Sequence, residues 1–392
     1  MASNSTPPKS FATAPSSPPL LPSQATPPQG LLPLHELLLS ISQKSPQELV
    51  SALSLGFVSE ESTGTPLVVA LALAWVVGAM FLLLFVVYIG VYAIAHFPRK
   101  AEPSENTYVT VTPSGEVSEP RALPRPGAHC EDEDIQISVV VPAYNEVARL
   151  GVMLEETVRV LEEWEGAAWE ILIVDDGSKD GTAQTALEFA RERGIAEDAF
   201  RVCRLVKNRG KGGAVTHGMQ RARGKHILFA DADGASKFAD AQKLQAALQG
   251  GAEIAVGSRA HLVNTEAVVK RSFVRNFMMH CLHTLLYVFG VRSVGDTQCG
   301  FKMFTRSAVA RIFPYMHNEG WIFDVEVLIL AERKGVVVAE VPISWHEVAG
   351  SKVELAKDSV RMAVDLVAIR SAYALGIYDD GRRRRPVRAK EE

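Results

Sequence analysis

The sequence has little cysteine, and what it has forms no pattern. Cys130, Cys203, Cys281 and Cys299 are its 4 cysteines among 392 residues, and no two form a CxxC pair. This spacing excludes a disulfide framework and a cysteine zinc site, and it suits a reducing compartment. No strong charge excess exists either. The formal net charge is −4, which gives no basis for a nucleic-acid partner, although Glu131 to Asp134 form an acidic run and Arg382 to Arg385 a basic one. His217, His226, His261, His280, His283, His317 and His346 lack metal-ligand spacing and read as core or surface. The glycine-rich turn from Lys207 to Gly213 lacks the Walker spacing.

The most informative absence lies between Leu67 and Phe97, which contains no Asp, Glu, Lys or Arg. A helix crosses the hydrocarbon core with about 20 apolar residues, so this run is long enough to span a bilayer. It lies too far from the amino terminus, and is too long, for a signal-peptide core. A buried helix of a soluble protein is the competing reading. Arg99 and Lys100 follow the run whereas Glu60 and Glu61 precede it. That asymmetry puts the following domain in the cytosol.

The remaining boundaries follow composition. Residues 1–64 open with a Pro-, Ser- and Thr-rich stretch that cannot build a core. Leu34, Leu37, Leu38 and Ile41 then fall at near-helical spacing, in an amphipathic helix or a local helix without function. Residues 65–98 hold the apolar helix, and 99–134, polar and Pro-containing, read as a linker. A catalytic domain follows over 135–350. Residues 351–392 carry a helical pattern from Leu355 to Tyr378, core or interfacial or both, and a basic tail.

Within 135–350, three apolar runs each end in a polar motif. Ile137 to Val141 leads into Pro142-Ala143-Tyr144-Asn145-Glu146, and Glu170 to Val174 leads into Asp175-Asp176-Gly177-Ser178-Lys179-Asp180-Gly181-Thr182. His226 to Ala230 leads into Asp231-Ala232-Asp233-Gly234. The runs are of strand length and β-branched. The first two are followed by helical patterns from Arg149 to Glu163 and Thr182 to Arg193, with others at Gly212 to Ala222 and Phe323 to Lys334. This alternation predicts an α/β fold with a mostly parallel sheet whose carboxyl edge gathers the motifs, closed by a strand from Val336 to Val341. Asp231 and Asp233, on alternate residues after a buried strand, project to one side. Two hard oxygen donors with positions left open suit Mg²⁺ or Mn²⁺ bridging a diphosphate. The turn at Lys207 to Gly213 opens a helix and points N–H groups and cations at an anion. Asp180 reads as a helix cap. Arg259, Lys270, Arg271 and Arg275 are candidates for a phosphate acceptor, since Arg271 and Arg275, four apart, share a helix face and an Arg fork matches phosphate. The apolar residues after them, Phe277 to Phe289, read mostly as core.

Read in order, the three motifs resemble those of the inverting nucleotide-sugar glycosyltransferases with the GT-A fold. Gly257-Ser258-Arg259, Asp296-Thr297-Gln298-Cys299-Gly300-Phe301-Lys302 and Trp321-x-Phe323-Asp324-Val325-Glu326 narrow the resemblance to those that load polyprenyl phosphates. The resemblance covers roughly Ile135 to Lys352. It implies a Rossmann-like sheet and an inverting transfer of glucose from UDP-glucose to dolichyl phosphate, giving dolichyl β-D-glucosyl phosphate for protein N-glycosylation at the endoplasmic reticulum membrane. It also implies that Pro142, Tyr144 and Glu146 line the nucleotide pocket, that Asp175 or Asp176 accepts the uracil imide, and that Lys211 faces the nucleotide. Gln298, Lys302, Trp321, Asp324 and Glu326 fall near sugar and acceptor, with Asp324 or Glu326 able to bind sugar hydroxyls or serve as a base. The turn Trp345-His346-Glu347 to Lys352 departs from relatives that carry Arg there, leaving open which of its residues reach phosphate.

A phosphate acceptor simplifies the chemistry. A phosphate monoester has a second pKa near 6, is largely dianionic at neutral pH and needs no general base. Asp233, Arg259, Arg271 and Asp324 are therefore the expected catalytic groups, acting through charge and alignment. Two other readings remain: a mannosyltransferase using GDP-mannose, and an inactive membrane scaffold, which would have no need of Asp231, Asp233, Arg259 and Asp324.

Overall fold

The computed structural model describes residues 65–126, 135–164, 168–262, 294–348 and 355–382. The expected amino-terminal helix at Leu31 to Leu55, Lys270, Arg271 and Arg275, and the tail beyond Arg382 lie outside them.

The charge-free run forms α1, Thr65–Ile94. Among the described residues it is the one helix, over Leu67–Ile94, long and apolar enough to cross a membrane. Trp75, Leu82 and Phe85 stand exposed on it, as a lipid-facing surface requires.

The domain is built on strands β3 (Ile135–Ala143), β4 (Ala168–Asp175), β5 (Phe200–Arg204), β6 (His226–Ala230), β7 (Ile254–Ser258), β8 (Phe301–Thr305) and β9 (Val338–Pro342), after a short hairpin of β1 (Thr107–Tyr108) and β2 (Arg121–Ala122). Among the described residues, strands β3 to β9 make one sheet in the order β5-β4-β3-β6-β8-β7-β9. All neighbours are parallel except β8, which runs against both β6 and β7. The parallel sheet is as expected; the reversed strand was not foreseen.

Alternate side chains of the strands feed two cores. Val139, Val141, Ile171, Ile173 and Leu228 pack with Leu150 and Leu154 of α2 (Val147–Glu162), Ala186 and Leu187 of α3 (Thr182–Arg193), and Leu244 of a helix described next. That helix is α5 (Ala241–Gln249), preceded in the chain by α4 (Lys211–Met219). On the other face Val140, Leu172, Val174 and Phe229 pack with Ala214 and Val215 of α4, Ile312 of α6 (Arg306–Ile312), and α7 (Phe323–Arg333). α7 is buried at every position from Phe323 to Ala331, as a helix clamped between two layers must be. Its outer layer is α8 (Leu355–Ala374), whose Leu366, Ile369 and Ala372 are buried. The carboxy-terminal helix is thus a core helix, yet Val360, Val364 and Val367 are exposed along it.

A buried carboxylate fixes the centre of the sheet. Glu170 on β4 accepts from Ser138 Oγ (2.6 Å), Arg223 Nε (2.7 Å) and Arg201 Nη2 (2.5 Å). Burial opposes its charge, but Arg201 and Arg223 keep its pKa below the ordinary range.

The expected linker needs correction at its start. Val109 and Val202 exchange backbone hydrogen bonds of 2.9 Å, so this stretch docks against β5. Glu105 is fully buried, accepting from Arg99 Nη1 (2.9 Å) and Val206 N–H (2.8 Å), and its carbonyl meets His217 Nε2 at 2.7 Å. Burial would raise its pKa; these partners bring it down to about 2. A polar, Pro-containing sequence resembles a linker whenever its few anchoring side chains are polar ones.

Candidate active site

A cleft of about 1080 Å³ opens along the carboxyl edge of the parallel strands. Parallel β3, β4 and β6 all end there, which is where the crossover connections leave room for a ligand. It is lined by Pro142, Tyr144, Glu146, Asp176, Lys211, Asp231, Asp233, Arg259, Gln298, Trp321 and Asp324, all of them singled out from sequence.

The first two motifs are stitched together by Asn145. Its φ of 52° lies in the left-handed region, which Asn tolerates better than most residues. Its N–H donates to Ser178 Oγ (2.9 Å) and its Oδ1 accepts from Lys179 N–H (2.8 Å). Asp180 accepts from Thr182 N–H (3.0 Å) and Val147 N–H (3.2 Å), tying the starts of α3 and α2.

The acidic pair after β4 divides its labour. Asp175 turns inward, 1% exposed, accepting from Ser178 N–H at 2.8 Å, and does not line the cleft. Asp176 does, and its carboxylate accepts from Arg209 N–H (2.7 Å) and Gly210 N–H (2.9 Å). Burial pushes its pKa up to about 7 against the pull of those N–H groups. The turn it holds is packed closely: a Cβ on Gly212 would lie 2.7 Å from the Asn318 carbonyl oxygen.

Lys211, at the head of α4, reaches both oxygens of Asp231 at 2.7 and 2.9 Å. Burial works against its charge, but Asp231, Asp324 and Asp233 raise its pKa overall, so it is a fixed cation. Burial and the neighbouring charge of Asp231 raise the pKa of Asp233. Asp233 accepts from Ala235 N–H at 3.0 Å and lies 3.9 Å from Arg149 Nη1. Arg149 also holds Glu146, at 2.6 Å.

Gly300 explains why the loop before β8 carries glycine. A Cβ there would collide with the carboxylate of Asp231. Gly300→Ala should therefore displace Asp231 and lower activity by about a hundredfold, the cost of misplacing a reacting geometry by about 1 Å. Gly151→Ala, whose Cβ would meet nothing within 4 Å, should leave activity unchanged. Comparing the two turnover rates checks this.

Arg259 is clamped in its own ion pair, Nε to Asp296 Oδ2 at 2.7 Å and Nη2 to Oδ1 at 2.9 Å, with its guanidinium 5.6 Å from the Trp345 ring centre. Asp324 is 2% exposed on the cleft wall and pairs with fully buried Lys302 at 2.5 Å. Burial raises the pKa of Asp324, while Lys302 and Lys211 oppose it. Lys302 sits beneath the cleft rather than in it. Glu326 likewise does not line the cleft: fully buried, it accepts from Asn318 N–H (2.7 Å) and Tyr373 Oη (2.9 Å). Lys302 and Glu326, like Asp175, are buried and do not line the cleft, so the structure places these three expected contact residues behind its wall.

Sequence reading missed Arg149, Arg209, Glu319, Asp296 as a partner, His96 and Arg361. Arg209 Nε donates to Glu319 Oε1 at 2.7 Å across the cleft wall. Ion pairs between distant segments leave no local spacing to read. His96 did leave a signal, as the polar residue closing the apolar run.

The profile of glycosyl transferase family 2 matches residues 138–313, and with this sheet and cleft it defines a glycosyltransferase domain of the GT-A fold. Dolichyl-phosphate beta-glucosyltransferase of Saccharomyces cerevisiae is 52% identical over 309 residues, covering 76% of this chain and 92% of that protein. The Homo sapiens protein of the same name is 43% identical over 253 residues, covering 62% and 77%. The chain belongs to the dolichyl-phosphate β-glucosyltransferase family. Among solved structures, glucosyl-3-phosphoglycerate synthase from Mycobacterium tuberculosis, in complex with Mn²⁺, UDP and glucosyl-3-phosphoglycerate, is similar with a TM-score of 0.44 and 20% identity, over 66% of this chain and 88% of that one.

Proposed function

We propose that the chain transfers glucose from UDP-glucose to dolichyl phosphate with inversion at C1, giving dolichyl β-D-glucosyl phosphate for protein N-glycosylation. The observation that carries this reading is the meeting of Asp231, Asp233 and Lys211 with Asp176 on one side and Arg259 on the other in a single cleft. Asp176 and Tyr144 receive the uracil, and Lys211 neutralises diphosphate charge. Asp231 and Asp233 fit a divalent cation, Mg²⁺ or Mn²⁺: burial and the like charge of Asp231 raise the pKa of Asp233, a cost that a bound cation offsets. Among the described residues no third carboxylate, His or Cys completes a cage, which leaves positions for ligand oxygens. When bound, such an ion stabilises charge growing on the leaving diphosphate.

The chain's own residues do the rest. Arg259, aligned by Asp296, presents positive charge to the lipid phosphate, with Arg271 and Arg275 as further candidates. Asp324, engaged with Lys302, positions sugar or cation; the dianionic acceptor needs no proton removed. Purified protein incubated with UDP-glucose and dolichyl phosphate should give lipid-linked glucose only with a divalent cation present. Transfer from GDP-mannose alone, or no transfer, would overturn the reading.

α1 gives the reading its setting: a single-pass anchor in the endoplasmic reticulum membrane with the catalytic domain in the cytosol. Arg99 and Lys100 support that orientation. Protease added to sealed microsomes should digest the catalytic domain, and complete protection would reverse the topology.

A further inference from the structure

The segment leaving α1 does not trail away from the domain. Val91 and Ala95 pack against the core, and His96 lines the cleft together with Arg361 and Met362 of α8. His96 is fixed at two points: its N–H donates to Tyr378 Oη (2.7 Å) and its Nε2 meets Asp365 Oδ1 (2.9 Å). Asp365 is 6% exposed. Phe97 meets the Tyr378 ring edge-on at 6.4 Å, and His317 stacks on that ring's other contact surface at 3.8 Å. His96 is thus held firmly on the first residues after the apolar helix, where it lines one end of the cleft.

We infer that the anchor itself furnishes part of the acceptor subsite, His96 and Arg361 together binding the phosphate headgroup of the lipid as it enters the cleft from the membrane side. The inference rests on the reading that the acceptor is a lipid phosphate. An imidazolium has two N–H donors; Nε2 is spent on Asp365, and among the described residues Nδ1 has no partner. The hydrogen bond to Asp365 raises the His96 pKa, with burial and Arg361 opposing and the Asp365 and Glu326 charges adding to it. Arg361 is exposed on the cleft wall, and a phosphate between the two cations would relieve their mutual repulsion. A neutral soluble acceptor would have no use for two cations at the point where the chain leaves the membrane.

His96→Gln keeps a donor toward Asp365 while removing the charge; Arg361→Gln removes a charge from an exposed position. In the full-length protein each should raise KM for dolichyl phosphate by about tenfold, the loss of one charge-assisted hydrogen bond. KM for UDP-glucose should stay within about twofold, since neither residue is assigned to the donor. Unchanged acceptor KM in both variants would overturn the inference, as would equal rises in both KM values, which would make His96 only a brace tying this segment to Asp365 and Tyr378. Should His96→Gln fail to fold, Arg361→Gln decides alone. Absence of lipid glucosylation by the wild-type protein would instead defeat the function proposed above, so the two failures are distinguishable.

Discussion

Replacing Asp233 by Asn should reduce glucose transfer at least about a hundredfold while leaving the fold intact. The loss is comparable to removing one preorganised electrostatic partner from a transition state. The fold survives because Asp233 is not a structural charge. Burial and Asp231 hold its pKa above the ordinary carboxylate value, so the folded protein binds the proton more tightly than the unfolded chain does. Ionised Asp233 is therefore a cost that appears as pH rises through the ordinary range toward the folded value. Asn removes that cost, and the thermal midpoint at neutral pH should be unchanged or higher. Divalent-dependent binding of UDP should weaken in parallel. Near-normal turnover with Mg²⁺ or Mn²⁺ present would sink the metal assignment, and a lower midpoint would trace the lost activity to unfolding instead.

Lys302→Met should have the largest effect on stability. Lys302 is fully buried, with its ammonium donating to Asp324 at 2.5 Å and to the Cys299 carbonyl at 2.6 Å. Removing one partner strands the other charge in a dry site, at a cost of about 3–5 kcal/mol. For a domain of this size that lowers the thermal midpoint by on the order of 10 °C. The sign of the pH dependence follows from what remains. Without Lys302 the folded-state pKa of Asp324 rises further, so the deficit is smallest in acid and grows as pH climbs through the ordinary carboxylate range. Unfolding curves at pH 5 and pH 8 should show the larger deficit at pH 8. A midpoint within about 2 °C of wild type at both would mean the pair carries no structural weight.

The alternation of β-branched runs with helical patterns made β3, β4 and β6 legible, because their apolar runs are buried on both faces, whereas β5, with Arg201 and Arg204 alternating with Phe200 and Val202, and β7 went unread. Thr182–Arg193 was placed to the residue, since Gly181 and Gly194 both take positive φ at its ends. β8 was not legible. Phe301-Lys302-Met303-Phe304 carries a lysine in a buried strand, tolerated only because Asp324 arrives from α7. The cleft's acids were read from their motifs, but which face water was not. Asp175 and Asp176 are chemically identical neighbours, both buried, and only the pleat at the end of β4 separates the one turned into the core from the one lining the cleft. Likewise the linker's Glu105 looked solvated because its partners, Arg99 and Val206 N–H, lie up to 101 residues away.

The reversed strand has a bearing on how this architecture can vary. β7 finishes at Ser258 and β8 begins at Phe301, and because they run in opposite directions both points fall at the rim of the cleft. The chain between them departs from Arg259 and returns at Gln298, both lining residues, so it is a closed excursion whose ends are set by the sheet. Lengthening such an excursion is cheap, about 0.6 kcal/mol for each doubling. The cleft-lining residues that follow β3, β4 and β6 lie outside this excursion. On the function proposed above, chain can thus be added on the acceptor side of the domain without disturbing a single strand pairing of β3, β4 and β6.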